Sequence, residues 1–459
     1  MQASHSVSAV FDDPNLVSVA GLVPVLALAR RAGLHDLAAE HLSVPGPAGA
    51  NSRVKVTALV AGMVAGADSI EDMDLLRRGG MGRLLAGVRA PTTLGTHLRA
   101  YTFGHVRQLD AVAARFLAGL ATRSPLLAGA GQVAYLDIDD TIRETHGYQK
   151  QGVGYGYSKV KGLNAVIATI CTPVAAPVIA ATRLRRGNVN SAKGAPRLVA
   201  DALATVKNAG VTGLVTVRAD SAYYNHAVIA AARRGGARFS VTARMDPAVT
   251  RAITTISDDA WVTIKYPNAI WDDEQQRWIS DAAVAEVPFT AFTSRRKGEH
   301  VTGRLIVRRV RRLNPATARA GQGELFATWR HHAVFTDTAL TMLAAEASHR
   351  GHAIIENVIA DLKDGALAHM PSGKFTANAA WTVLAAIAYN LTRAAGVLAS
   401  AFHAKATTAT IRTQLIAVPV RIARSARRSC LHLPAHWPWQ DPWTALHAAA
   451  TGPPATATT

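Results

Sequence analysis

Cysteine is nearly absent from the 459 residues: Cys171 and Cys430 are the only two, far apart and without paired spacing. That excludes a disulfide framework and a cysteine-based zinc site, and it fits a reducing compartment. Acidic residues are also few, 31 against 50 Lys and Arg, and charged residues of both signs make up only 18% of the chain. The resulting formal charge of +19 favours a polyanionic partner, nucleic acid first and an anionic membrane surface second. The N-terminus carries Asp12 and Asp13 and lacks a basic stretch leading into an apolar one, so no secretory signal is expected. Residues 162–182 are uncharged and long enough to imitate a membrane span. Pro173 and Pro177 argue against a span and read better as a turn between two short strands, 166–171 and 178–181. There is no internal repeat. What remains is a globular composition, 49% hydrophobic, with length for a sizeable core and several domains.

Residues 15–125 read as helices in pieces. A segment over 17–42 is interrupted at Gly33, Asn51-Ser52 caps another to about residue 65, and Ser69 with Asp72 resembles a capping box. Pro91 opens a short helix carrying His97 and Arg99, and Thr102 caps a long one over 103–121. Such a set suits a DNA-binding module and a plain helical bundle equally well. From residue 132 strands and helices alternate: a strand over 133–141 bearing Asp137, Asp139 and Asp140, a Gly- and Tyr-rich segment over 147–162, and the two strands already described. A helix over 196–209, a strand over 214–220 ending at Asp220, a helix over 223–234 and a strand over 238–242 follow. This order points to a mixed α/β sheet.

Strand-like periods return between residues 246 and 341, most clearly over 261–266 and 301–312. Residues 295–312 hold eight Lys or Arg against Glu299 alone, a positive ribbon in which Arg304, Arg308, Arg309, Arg311 and Arg312 are candidates for phosphate contact. A protected sheet edge gives the same pattern. Residues 375–396 form an apolar helix interrupted by Asn378, Asn390 and Arg393, with the core as its place. The tail adds Arg412, Arg421, Arg424, Arg427 and Arg428 ahead of Trp437-Pro438-Trp439, and residues 452–459 have a disordered composition.

The stretch 349–363 carries the most chemistry. At about 100° per residue, His349, His352, Glu356 and Lys363 fall within roughly 60° of one another on a helix. Ile354, Ile355, Val358, Ile359 and Leu362 occupy the neighbouring arc, so one helix can bury one side and present a polar stripe on the other. A solvated helix face gives a similar pattern. Strand ends at Asp139 and Asp220, with Glu356, supply three carboxylates where an α/β fold usually builds its site. Phosphodiester cleavage needs a strong oxygen nucleophile and compensation for charge on the attacking and leaving oxygens, which two Mg²⁺ ions held by carboxylates provide.

These residues carry a resemblance. Leu136-Asp137-Ile138-Asp139-Asp140-Thr141, Gly152-Val153-Gly154-Tyr155-Gly156-Tyr157 with Lys161-Gly162, and Ala219-Asp220-Ser221-Ala222-Tyr223-Tyr224 form an ordered set with Glu356 and Lys363. Arg330-His331-His332-Ala333-Val334-Phe335-Thr336-Asp337 and Pro371-Ser372-Gly373-Lys374-Phe375 extend it over about residues 15–445. The set resembles the DDE transposases of bacterial insertion-sequence family 1380. The resemblance implies an α/β fold: a ribonuclease-H-like mixed sheet core interrupted by a β-rich insertion domain, with an α-helical N-terminal domain. The expected boundaries are 1–130 for a helical DNA-binding domain, 131–245 for the first part of the core and 246–340 for the insertion. Residues 341–398 would be the second part of the core with the Glu helix, and 399–459 a basic C-terminal segment and tail.

Carried over by residue, the catalytic and metal-holding set implied is Asp139, Asp220 and Glu356, with two Mg²⁺ ions that Mn²⁺ can replace. Asp137 shares the side-chain direction of Asp139 and is the runner-up, whereas Asp140 faces away. Asp361 sits roughly 140° around the helix from Glu356, which disfavours it. Lys363 is expected at a DNA phosphate. The related group has Tyr and Arg where this chain has His349 and His352, and an imidazole lacks the arginine fork, so Arg350 is placed to substitute by reaching around. The implied activity is cut-and-paste transposition of double-stranded DNA. It comprises metal-dependent cleavage at terminal inverted repeats, hairpin formation by the new 3′-OH, reopening, and joining to a target that is expected to be TTAA. A homodimer pairing both ends and a bacterial, nucleoid-associated cytoplasmic location go with it. Trp261, Trp271, Trp278 and Trp329 are candidates to stack near a displaced base, against a core role for each. The alternative is a catalytically inactive, transposon-derived DNA-binding protein; a nuclease on the same core is a third reading.

Overall fold

The computed structural model describes residues 7–146, 149–156, 159–311, 329–425 and 428–452. Arg312, Tyr157, Arg427 and the tail over 453–459 lie outside the described residues. The chain enters through a short strand, β1 (Leu16–Val17), and then a helical stretch: α1 (Leu22–Arg31), α2 (Leu34–His41), α3 (Gly46–Gly49), α4 (Ser52–Ala65), α5 (Met81–Leu84), α6 (Pro91–Arg99) and α7 (Phe103–Ala121). Gly33 separates α1 from α2 by taking a left-handed backbone, φ 89°, which glycine adopts without a Cβ penalty. Thr102 caps α7: its hydroxyl accepts from the His105 N–H, and the His105 ring returns the bond to the Thr102 N–H, so a histidine serves where Glu or Gln is usual. Ser69 and Asp72 likewise exchange hydrogen bonds, but the turn they open, Glu71–Arg77, is 3₁₀ rather than α.

The alternating region builds one ten-stranded sheet. Its elements in chain order are β2 (Val133–Glu144), β3 (Gly154–Tyr155), β4 (Lys161–Cys171), β5 (Val178–Arg186), α8 (Ala195–Asn208), β6 (Leu214–Ala219), α9 (His226–Arg234) and β7 (Arg238–Thr242). They continue through α10 (Pro247–Thr254), β8 (Val262–Thr263), a hairpin apart from the sheet of β9 (Ile270–Asp272) and β10 (Arg277–Ile279), then β11 (Ala282–Ala291), β12 (Val301–Arg311) and β13 (Trp329–Thr336). The order across the sheet is β3-β4-β2-β6-β7-β13-β12-β11-β8, with β5 also on β4. Strands β2, β6 and β7 run parallel, while β4 is antiparallel to both β2 and β5. The later strands join the same sheet because β13 pairs antiparallel with β7, from Val334 opposite Thr242 to Thr336 opposite Ser240. The strand expected over 261–266 is shorter than its apolar pattern suggests, since only Val262 and Thr263 pair with β11.

The C-terminal part supplies α11 (Met342–Arg350), α12 (Ile354–Lys363), α13 (Phe375–Ala399), α14 (Thr408–Ile411), β14 (Val420–Ser425), β15 (Arg428–His432) and α15 (Gln440–Thr451). Helix α13 is long and apolar enough to cross a membrane, yet it is buried almost throughout between the sheet and the N-terminal helices. Its polar interruptions are satisfied locally, which removes the cost of burying them. Asn390 accepts from the Ile179 N–H and donates to the Ile179 carbonyl, both at 2.8 Å, and so rivets the helix to β5. Arg393 reaches the carbonyls of Ala404 and Ala406. Strands β14 and β15 form a three-stranded sheet with β1, bringing the two ends of the chain together.

Candidate active site

Parallel pairing of β2 with β6 sets the site. Ile138 lies opposite Ala219, so Asp139 and Asp220 are the next positions on neighbouring strands. Asp139 accepts from the Asp140 N–H at 2.7 Å, and Asp220 caps the turn Ser221–Tyr223 by accepting from the Ala222 N–H at 3.0 Å. Among the described residues neither carboxylate makes an ion pair. Burial pushes Asp139 up to about 6, opposed by the Asp140 N–H and reinforced by the charge of Asp220. Asp220 is raised too, again chiefly by burial. Two desolvated carboxylates raised in this way are under-compensated acceptors. Beside them Tyr223 is fully buried with a hydroxyl that has no partner among the described residues, in the field of Asp140, Arg185, Asp139 and Asp220.

Asp137 and Asp140 are used differently. Asp140 faces the other side of the sheet, where its carboxylate takes Arg185, Asn164 and Ser191. Asp137 is fully buried and held by Arg218 through two bonds of 2.7 Å. Arg218 also donates to the Ser348 carbonyl and lies over the Tyr135 ring, 4.1 Å from its centroid. Asp137 additionally contacts His352 Nδ1 at 3.0 Å. A carboxylate can only accept, so that contact places the ring proton on Nδ1 and leaves Nε2 as the other pole. His352 lies close enough to Asp139 and Asp220 to lower both. Arg218 is the residue sequence reasoning passed over; the available signal was an arginine inside a mostly apolar strand, which the parallel register sets directly opposite Asp137.

His349 departs from the expected DNA-facing role. It is buried, with Nδ1 and Nε2 each 2.9 Å from a hydroxyl, Ser240 and Thr242 on β7. Burial drives its pKa down to about 3, so it stands neutral as a pin between helix and sheet, with no nitrogen left for a phosphate. The single helix expected over 349–363 is also two helices, α11 and α12, joined by the 3₁₀ turn Gly351–Ala353. At Gly351 a Cβ would sit 2.8 Å from Arg218 Nη1, so the glycine lets that guanidinium approach the turn.

Glu356 and Lys363 are exposed on α12, whose Ile355, Val358, Ile359 and Leu362 are buried. Lys363 feels burial and Arg143, which lower it, against Asp139, which raises it, so it stands near the carboxylate pair. Asp361 turns away and accepts from the Thr408 N–H at 3.0 Å. The register brings Asp139 and Asp220 together, but among the described residues no three His, Cys, Asp or Glu side chains are gathered at metal-holding distance, so Glu356 stands on α12 outside the pair.

The arginine ribbon of β12 is largely engaged within the fold. Arg304 binds Glu286 and the carbonyls of Thr338 and Leu340. Arg308 is paired at 2.8 Å with buried Glu346, which also takes Arg350 at 2.9 Å. Arg309 is sandwiched by Trp261 and Trp329, 4.3 and 4.5 Å from the ring centroids, and Arg311 lies over Trp329 at 5.8 Å. The open ribbon is thus corrected to a strand whose cations pair with exposed Glu286 and buried Glu346 and stack on indoles. Trp271 and Trp278 face each other across the β9–β10 hairpin, 5.1 Å apart.

A mixed sheet with carboxylates at neighbouring positions, Asp139 within β2 and Asp220 just past the end of β6, and a further carboxylate on the adjacent helix, is the setting of a DDE-type transposase domain. The chain belongs to the family described as Transposase DDE domain group 1, whose model matches residues 1–451. Among solved structures, a piggyBac transposase synaptic complex with hairpin DNA is similar at 9% identity with a TM-score of 0.40, over 88% of this chain and 79% of that one. No curated protein matches.

Proposed function

We propose that this chain is a cut-and-paste DNA transposase, related to insertion-sequence family 1380 and built on a ribonuclease-H-like core. It would cleave transposon ends by metal-dependent phosphoryl transfer, pass through hairpin ends, and join them to target DNA as a dimer. The observation that carries the reading is the pair Asp139 and Asp220: neighbouring, desolvated, and without a cationic partner among the described residues. Such hard oxygen donors fit Mg²⁺, with Mn²⁺ as a substitute and Glu356 as the third carboxylate. When bound, the metal pair supplies an activated oxygen nucleophile and neutralises charge on the leaving oxygen. The chain's own residues do the rest. Asp139 and Asp220 would hold the metal ions at neighbouring positions of the sheet, Lys363 offers a cation to a neighbouring phosphate, and Asp137 holds His352 in one orientation beside both carboxylates.

Incubating the protein with Mg²⁺ and DNA ending in the element's inverted repeats tests this. Nicked and then hairpin products, abolished by chelation, are expected. The separate standing of Glu356 favours one competing reading, a DNA-binding protein that no longer cuts. Tight end binding without any nick in Mg²⁺ or Mn²⁺ would establish that reading instead.

A further inference from the structure

A second basic feature lies away from the carboxylates, at the edge of the sheet where β5 turns into α8. A cavity of about 510 Å³ there is lined by Arg183, Arg185, Arg186, Lys193 and Arg197, and by no Asp or Glu among the described residues. The nearest acids are already outnumbered. Asp201 holds Arg107, Arg183 and Arg197, and Asp140 holds Arg185. Arg186 and Lys193 are exposed, and among the described residues their side chains make no hydrogen bond or ion pair. Helix α8 begins at this cavity with Gly194 as its N-cap and no side-chain cap, which adds the positive end of a helix to the same space.

The Gly-rich segment that the carboxylate chemistry leaves unexplained borders this cavity. Gly187 can pack on the carbonyls of Gly154 and Gly162 only because it has no Cβ, and a Cβ on Gly154 would lie 3.3 Å from Asn188. That close packing sets β3 against the loop after Arg186, with exposed Tyr155 opposite Lys161 in register. The result is a groove lined by cations and Asn188, with Tyr155 and Lys161 on the neighbouring strands outside its lining. Charged side chains without acidic partners are costly to cluster, and a polyanionic backbone relieves that cost by releasing its counterions.

Strand register locates the groove relative to the carboxylates. Arg186 lies opposite Leu163, which lies opposite Arg143, four residues beyond Asp139 on the same face of β2. At about 3.4 Å per residue and about 4.8 Å per strand, the backbone of Arg186 is roughly 17 Å from that of Asp139 in the plane of the sheet, and the groove also takes Arg183 and Arg185 from the opposite face, the face of Asp140. We propose that the groove of Arg186, Lys193 and Arg197 is a second seat for the DNA backbone, apart from the bond presented to Asp139 and Asp220. This rests on the transposase reading above.

The test measures binding of a fluorescent random-sequence duplex by the full chain at several salt concentrations, with the variant R186E/K193E and the charge-keeping R186K/K193R. Both positions are exposed, and a melting curve verifies that each variant folds. Charge reversal should weaken binding at least tenfold and reduce the slope of log affinity against log salt by about 2, whereas R186K/K193R should behave as the parent. Unchanged affinity and slope in R186E/K193E would overturn the proposal. So would loss of binding to phosphatidylserine vesicles with DNA binding intact, which would make the groove a membrane contact. Absence of DNA binding by the unmodified chain would instead overturn the transposase reading itself.

Discussion

Replacing Arg218 by Met tests whether the buried unit beneath the carboxylates is what holds them in register. Arg218 and Asp137 are 3% and 0% exposed, and their bidentate contact is supported by Tyr135 and the Ser348 carbonyl. Removing the cation leaves the Asp137 carboxylate buried with only His352 and the weak Cys171 thiol for partners. Breaking one side of such a pair costs about 3–5 kcal/mol. At about 2.1 cal/mol/K per residue, 459 residues give an unfolding entropy near 1 kcal/mol/K, so the melting temperature should fall by about 3–5 °C. Removing both charges with apolar residues of similar volume, D137L/R218M, should recover most of that loss, because the penalty lies in the orphaned charge rather than in the pair. Differential scanning calorimetry of the parent, R218M and the double variant reads both numbers. An R218M protein melting with the parent, or a double variant less stable than R218M, would refute the reasoning.

Asp139→Asn should act in the opposite direction on stability. Its carboxyl is raised to about 6, above an unfolded value near 3.9, so ionisation in the fold is unfavourable. The penalty is absent below about pH 4 and complete above about pH 6; at a half-buried site it amounts to about 1–2 kcal/mol after solvent screening. Metal-free D139N should therefore be more stable than the parent at pH 7 and equal to it at pH 4, as urea denaturation would show, and a destabilised D139N at pH 7 would contradict the assignment. His349 is depressed to about 3, below an unfolded value near 6.5, so stability is lost at about 1.4 kcal/mol per unit as pH falls below 6.5. His349→Gln, which can keep bonds to Ser240 and Thr242, should flatten that acid limb; an unchanged limb would show the ring is not buried neutral. Lys363→Ala should weaken binding of end DNA and lower the salt slope by about 1 without altering the melting temperature, and an unchanged slope would remove it from the phosphate contacts.

Local signals read best where the backbone decides. The cap at Thr102, the break at Gly33 and the strand that stops just before Asp220 follow from residue type and period, whereas β2 runs on to Glu144, so that Asp139 lies within it rather than at its end. The order of the sheet was less legible, because edge-to-edge pairing of β13 with β7 leaves no mark in either strand alone. Helical angles put His349, His352, Glu356 and Lys363 on one stripe, but that projection assumed a single helix. A 3₁₀ turn over Gly351–Ala353 divides it, and His349, on the helix before the turn, bonds to the sheet instead. The arginines of β12 illustrate a further limit: their partners Glu286 and Glu346, with the tryptophans that flank Arg309, come from other elements, so a charge run gives no notice of being neutralised. Asp137 and Asp139 are indistinguishable by strand parity; Arg218, from a strand 81 residues away, separates the structural aspartate from the free one.

The most direct test of the account is cleavage of terminal-repeat DNA with Mg²⁺ by D139N, D220N and E356Q, with binding of the same DNA measured alongside. Each amide keeps the size of the side chain and removes the charged oxygen donor. The account predicts that all three variants bind the DNA and none cleaves it. Cleavage at the parental rate by all three would contradict it.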